Sequence, residues 1–529
     1  MSVPRTLLVL SVIAAIGTPV LRAQEAFVHL VRGDTILIER FTRTAERLDV
    51  DMLQKGVGRQ VFTSRITDGR LDGMSLVVYP ASGPAADTPA GEATLSMTGD
   101  TVVVVVKAPA GASQVQRVPS KAGAQPRVSG SFAQYEVLIA TARRARTSDA
   151  TLLLFAVAGG QTREVVLSGL LTDSVVVKSA GSEAWMVTDQ NGRIVRGGVP
   201  AQGLTATRVS GAASLTLSFS KPDYSAPPGA TYTAEDVSVP ATAGHTLAGT
   251  LTKPVGTSGP FAVAISITGS GPQDRDSNLD MLLPGYRIFR QVADTLGRRG
   301  IAMLRLDDRG TGASGGTFAA ATSRDFANDI RAAIAYLRTR TDIDSQRIFL
   351  VGHSEGGMVA PMVALDEPAL AGLVLMAGTA RTGREILEFQ SRAAIMRNTA
   401  MSASARTTAL ARVTAVVDSA AARDPWLRFF VAYDPLPVAR KVRTPVLLLQ
   451  GADDQQVIAS EATMLERALR EGGNTDVTLR VFPALNHLFI RQPGGDPSGY
   501  RSLPTNRVSP EVLGMLADWI AAHASTRSR

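Results

Sequence analysis

The strongest constraint on this chain is a change of hydrophobic pattern near residue 233. Beyond it, uninterrupted apolar runs recur at residues 261–269, 301–308, 347–353, 372–378 and 445–451. Between them lie stretches of helical character, at residues 286–299 and 323–339. A strand that is apolar on both sides of its pleat has to be covered on both faces. Strands alternating with helices supply that cover when the sheet is mostly parallel. Two further strand patterns at 235–241 and 247–254, and one at 478–482, bring the expected sheet to about eight strands.

The preceding half has a different grammar. Residues 101–107 (TVVVVVK), 152–158 (LLLFAVA) and 173–178 (DSVVVK) are short β-branched runs punctuated by Gly, Pro, Asp and Ser. Gly33-Asp34 and Asn191-Gly192 sit between such runs as hairpin turns. Residues 24–219 therefore read as an antiparallel β-rich accessory domain. A Pro-, Ser- and Gly-rich linker follows at 220–233, and an α/β domain at 234–524. Within the latter, residues 379–444 interrupt the strand rhythm with an Ala- and Arg-rich helical insertion. Its expected place, over the carboxyl ends of the strands, makes it a lid.

The first 23 residues carry a basic start (Arg5), an apolar stretch at 7–17, Pro19 and then Ala23, the pattern of a signal peptide. A retained amphipathic anchor is the alternative reading. The apolar stretch is too short to span a bilayer as a helix, which takes about 20 residues. The expected product is an exported, periplasmic or secreted protein without stable membrane insertion. The chain has no cysteine, which excludes disulfides, thiol nucleophiles, Cys-ligated zinc and an acylated lipoprotein cysteine. Its formal charge of +8 is spread without a dense basic block, and aromatics make up only 5%, so no nucleic-acid partner is expected. Nothing in the sequence bears on oligomeric state.

The serine pattern G-x-S-x-G occurs twice, around Ser314 and around Ser354. Ser314 lies in a glycine-rich loop with no helix directly after it. Ser354 sits between an apolar strand and a helical run, the strand–turn–helix setting that lifts a hydroxyl above a sheet. A serine nucleophile needs a base, and the chain has five histidines. His29 is in the other domain, His245 precedes the second strand, and His523 belongs to a frayed C-terminal tail. His353 abuts the serine but points elsewhere, which leaves His487 in the loop after the last strand. The orienting acid should lie between serine and histidine in chain order. Asp454 fills that place, with Asp453 as the alternative. Backbone N–H groups of Glu355 and Ser270 are the expected donors to the oxyanion.

These residues resemble the alpha/beta-hydrolase superfamily, and more narrowly an EstD-type esterase and serine-aminopeptidase-like group. The resemblance covers residues 234–522 and rests on residues 269–276 (GSGPQDRD), 307–314 (DDRGTGAS), 352–357 (GHSEGG), 451–457 (GADDQQV) and Asn486-His487. It implies a Ser-His-Asp carboxylesterase for short acyl esters, acting on a small-molecule ester with no metal or organic cofactor. A peptidase or aminopeptidase with the same triad is the second reading, and a relic hydrolase fold beside a binding β domain is the third. Asp274, Arg275, Asp276, Asp308 and Arg309 recur in the pattern, and loop-holding ion pairs are their expected role. Thr268 departs from the pattern, standing where many hydrolases have His before the oxyanion loop.

Overall fold

The computed structural model describes residues 25–526, apart from 80–88, 90, 108–112, 180–181, 211–221 and single residues at 32, 56, 281, 319 and 400. The expected signal segment and the start of the linker lie outside the described residues.

Strands β1 (Glu25–Val31) through β15 (Leu204–Ser210) form one sheet of fifteen strands among the described residues. Chain neighbours are sheet neighbours almost throughout, and β1 pairs antiparallel with β15, so the meander joins its own two ends. Gly192, with φ 75°, makes the turn between the strands Ser182–Thr188 and Ile194–Val199. A helix that the sequence pattern did not reveal, α1 (Phe132–Arg143), is packed into this sheet, with Val137, Leu138 and Ile139 essentially inaccessible. Apolar residues surround it, so it lacks the one-sided stripe by which a surface helix is recognised. Its amino end is met by the buried carboxylate of Glu39, which accepts from the Ser131 hydroxyl and from the amides of Phe132 (2.8 Å) and Ala133 (3.2 Å). An anion at that position satisfies first-turn donors that have no partner within the helix.

The second sheet has eight strands. They are β16 (Tyr232–Pro240), β17 (Thr246–Pro254), β18 (Phe261–Ile267), β19 (Ala302–Leu306), β20 (Ile343–His353), β21 (Gly372–Met376), β22 (Val446–Gly451) and β23 (Val477–Phe482). Their order is β16-β17-β19-β18-β20-β21-β22-β23, antiparallel for the first three and parallel from there. Helices α2 (Ile288–Gly297), α3 (Ser323–Arg338), α4 (Glu355–Asp366), α9 (Ala459–Glu471) and α10 (Pro510–Thr526) accompany them. Two large apolar clusters, one on each face, account for the absence of polar alternation in β18–β22. Leu350 and Val351 in β20 are wholly inaccessible, and truncating such a residue to Ala costs about 2–5 kcal/mol.

Between β21 and β22 the chain inserts α5 (Gly383–Arg397), α6 (Ala403–Ala421), α7 (Pro425–Ala432) and the short α8 (Leu436–Ala439). The linker is bound to the second domain, since the Tyr224 ring lies 4.2 Å from the Arg275 guanidinium and its hydroxyl donates to Asp274 (3.2 Å). His523 is not in a frayed tail. It sits on α10, its ring 3.9 Å from that of Trp519 and its Nδ1 2.8 Å from the Trp519 carbonyl, because the last helix continues to residue 526 against the apolar core. Among the described residues no helix is long and apolar enough to cross a membrane.

Candidate active site

The sheet order places the site. The chain leaves β18 for β19 on one side and then crosses to β20 on the other, so the loops after β18 and β20 diverge at their carboxyl ends. That divergence is the usual ligand crevice of an open α/β sheet. The loop carrying Ser270 follows β18, and Ser354 follows β20.

Ser354 has φ 56° and ψ −118°, a conformation non-glycine residues rarely adopt, which costs on the order of 1–3 kcal/mol. Its amide donates to the Met376 carbonyl at 2.9 Å, which ties the turn to β21. The flanking glycines are sterically required. A Cβ on Gly352 would lie 2.1 Å from the Gly356 carbonyl oxygen, and one on Gly356 would lie 2.1 Å from that of Ile267. Glu355 is the first residue of α4, where an N–H has no intrahelical acceptor and the helix end carries positive partial charge. A Cβ on Gly269 would lie 3.3 Å from Cβ of Ser354, so the loop of Ser270 packs directly on the serine.

His487 donates from Nδ1 to Asp454 Oδ2 at 2.7 Å, and both side chains are buried. Asp454 also accepts from the amides of Gln456 (2.7 Å) and Val457 (2.9 Å) and from Gln450 Nε2 (3.2 Å). With Nδ1–H engaged, the lone pair of His487 is on Nε2, the atom a general base uses. Asp453 faces another way and accepts from the Gly494 amide at 2.7 Å. His353 reaches the same cluster: its Nε2–H donates to the His487 carbonyl at 2.9 Å, and the two rings lie 4.8 Å apart. Burial, and then the nearby His487, lower its pKa to about 3, so it braces the loop as a neutral imidazole. Asn486 holds the other side, its Oδ1 accepting from the amides of Leu488 (2.9 Å) and Ile490 (3.0 Å).

The Glu355 side chain is buried under the insertion. It accepts from Ser323 Oγ (2.6 Å) and from Nε1 of Trp426 in α7 (2.8 Å). Burial raises its pKa, while hydrogen bonds from Ser323, Trp426 and Ser270 work against that rise. Ser314 plays a loop-holding part, its hydroxyl donating to the Asp307 carbonyl (2.7 Å) and accepting from the Ala248 amide (2.9 Å).

Three of the five recurring charged residues form the expected ion pairs. Arg275 pairs with Asp307 at 2.8 Å, Arg309 with Asp329 at 2.7 Å, and Asp276 with the fully buried Arg305. Asp274 and Asp308 depart from that expectation. Asp274 turns its carboxylate to the Asp276 and Asn278 amides and the Tyr224 hydroxyl, and Asp308 turns its own to the Gln273 amide and the Thr268 hydroxyl, instead of to a cation. The roles of His353, Asp308 and Trp426 escape sequence reading because their partners lie tens of residues away. Among the described residues no group of His, Asp or Glu is arranged to hold a metal.

Parts of this chain are similar to known proteins. Residues 285–493 match the family described as serine aminopeptidase, S33. The chain is 27% identical over 310 residues to Esterase EstD of Thermotoga maritima, covering 57% of this chain and 70% of that protein. Among solved structures it is similar to the Pyrococcus furiosus esterase Pf2001 (17% identity, 55% of this chain and 90% of that one, TM-score 0.38). Another is a putative dienelactone hydrolase from Klebsiella pneumoniae (15% identity, 56% and 98%, TM-score 0.36). Sheet order, strand–serine–helix turn and sequence relatives define the C-terminal domain as an alpha/beta-hydrolase, and the chain as a hydrolase. Within that class it is similar to an esterase and to the serine aminopeptidase, S33, family.

Proposed function

We propose that the protein is an exported serine carboxylesterase that cleaves short acyl esters through an acyl-enzyme. In this reading Ser354 Oγ attacks the ester carbonyl while His487 Nε2 takes its proton and returns it to the departing alcohol. Asp454 holds the imidazole in the required tautomer and stabilises it once charged. The amides of Glu355 and Ser270 stabilise the tetrahedral oxyanion, and water then cleaves the acyl-enzyme by the same route. The observation that carries the reading is the 2.7 Å bond from His487 Nδ1 to Asp454, beside a serine held at positive φ whose chain neighbour His353 bonds the His487 carbonyl. Export rests on Arg5, the apolar residues 7–17 and Ala23. The helical insertion, with Trp426 bonded to the residue after the serine, acts as a lid over the acyl site.

A peptidase with the same triad is the second reading, favoured by the match to the serine aminopeptidase, S33, family. The Arg-rich insertion, short of acids to hold a peptide amine, weighs for esters. Hydrolysis of p-nitrophenyl acetate, butyrate and octanoate, and of an aminoacyl p-nitroanilide, separates the two when measured for the mature chain and Ser354→Ala. Ester turnover that falls by about 10⁴-fold or more in the variant, with the anilide untouched, is the expected result. Dominant anilide cleavage would establish the peptidase. Equal activity of the two chains would overturn the triad.

A further inference from the structure

Asp308, two residues beyond β19, grips the oxyanion loop at both ends. Thr268 Oγ1 lies 2.6 Å from its Oδ1, and the Gln273 amide donates to its Oδ2 at 2.9 Å. Its own amide donates to the Gln273 carbonyl at 3.1 Å. The segment between those contacts contains Gly269, packed against Ser354, and Ser270, the proposed donor. A single side chain thus closes the hexapeptide that has to hold a backbone N–H in register with the serine.

The electrostatic setting is as telling as the bonds. Asp308 has no ion pair among the described residues, because the nearby cations are committed elsewhere: Arg275 to Asp307, and Arg309 to Asp329. The groups facing it are acids, Glu355 on α4 and its neighbour Asp307. A charged carboxylate behind an oxyanion site would repel the charge that site has to stabilise. A protonated carboxyl shares its proton with the Thr268 hydroxyl, still accepts from Gln273, and adds no negative charge.

We propose that Asp308 is a positioning residue of the oxyanion loop and that it works as the neutral acid. This rests on the serine-hydrolase reading above. Burial first, and then the Glu355 and Asp307 carboxylates, raise its pKa to about 8, against the bonds from Thr268 and Gln273 that lower it. The neutral form therefore prevails at pH 7 and gives way above pH 8.

The test compares p-nitrophenyl butyrate kinetics of wild type, Asp308→Asn, Asp308→Ala, Thr268→Val and Ser354→Ala, with thermal unfolding as a folding check. Misplacing one oxyanion donor costs about 10²–10³ in rate, so Asp308→Ala should lose about 10²-fold in kcat at nearly constant KM. Asparagine can accept from Gln273 and donate to Thr268. Asp308→Asn should therefore restore kcat to within about threefold of wild type at pH 7, and its ratio to wild type should climb as pH passes 8. Thr268→Val, which removes one hydroxyl, should lose about tenfold and serves if Asp308→Ala does not fold. Undiminished kcat in Asp308→Ala or Thr268→Val overturns the positioning role. An asparagine variant as poor as the alanine variant overturns the neutral form. Activity surviving in Ser354→Ala overturns the triad, and this inference with it. Activity lost there but unaffected by either loop substitution overturns this inference alone.

Discussion

The two sheets of this protein are built by opposite rules, and the proposed chemistry draws on only one of them. In the fifteen-stranded sheet nearly every connection is a hairpin, so consecutive loops leave alternately from its two ends. In the eight-stranded sheet the order reverses around β18, and loops distant in sequence meet at one edge. Three buried acids illustrate the contrast. Glu39 in the first sheet sits at a helix N-terminus and is filled by donors from Ser131, Phe132 and Ala133. Glu355 and Asp308 in the second lie close enough that Glu355 pushes the Asp308 pKa up, and neither has an ion pair among the described residues. A saturated buried carboxylate serves the fold. In the proposed reaction, the crowded acids stand beside the strained serine.

The largest expected effect sharpens that division on its reactive side. Asp454→Asn leaves a side chain of the same shape in contact with His487 but favours the wrong imidazole tautomer. We expect kcat to fall by about 10⁴-fold while far-UV circular dichroism stays native. A loss of less than tenfold would remove Asp454 from the triad and point back to Asp453.

The contrasting substitution lies in the accessory sheet. Glu39→Ala strips the partners from the Ser131 hydroxyl and two buried amides at the start of α1. Buried donors without acceptors should lower stability by about 2–4 kcal/mol. Thermal unfolding should register this, and kcat below the transition should match wild type. A coupled loss of kcat would show that the two sheets do not divide the work as described.

The same contrast explains what was legible in the sequence. The Ser354 turn and the Asp454–His487 contact were legible because each residue follows a strand, in an order that such sheets impose on their loops. Helix α1 was hidden because apolar contacts on all sides erase helical periodicity. The frayed tail assigned to His523 failed because Trp519 and Ile520 carry the last helix into the core. Asp308 and His353 were visible as motif letters only. Their partners, Thr268 and the carbonyl of His487, lie 40 and 134 positions away and are brought near by the crossovers of the sheet.

The smallest expected effect at neutral pH tests whether His353 belongs to the site or merely to the fold. Its pKa of about 3 in the folded protein lies below the value of 6.5 from which burial lowers it. Below pH 6.5 the unfolded chain binds a proton that the folded chain refuses. Stability contributed by the neutral imidazole is therefore present above pH 6.5 and lost as pH falls toward 3, by on the order of 1 kcal/mol per pH unit. Glutamine keeps a donor for the His487 carbonyl and cannot ionise in this range. His353→Gln should thus cost about 1 kcal/mol or less at pH 7, and its stability should fall less steeply than wild type between pH 6.5 and 5. Urea unfolding at several pH values supplies both slopes, and parallel curves would mean that His353 is protonated alike in the folded and unfolded chains. If the slopes diverge and kcat at pH 7 holds, the imidazole braces the loop through its hydrogen bond alone. If kcat falls with stability intact, the ring also sets the orientation of His487, and the reactive side of the comparison extends one shell beyond the triad.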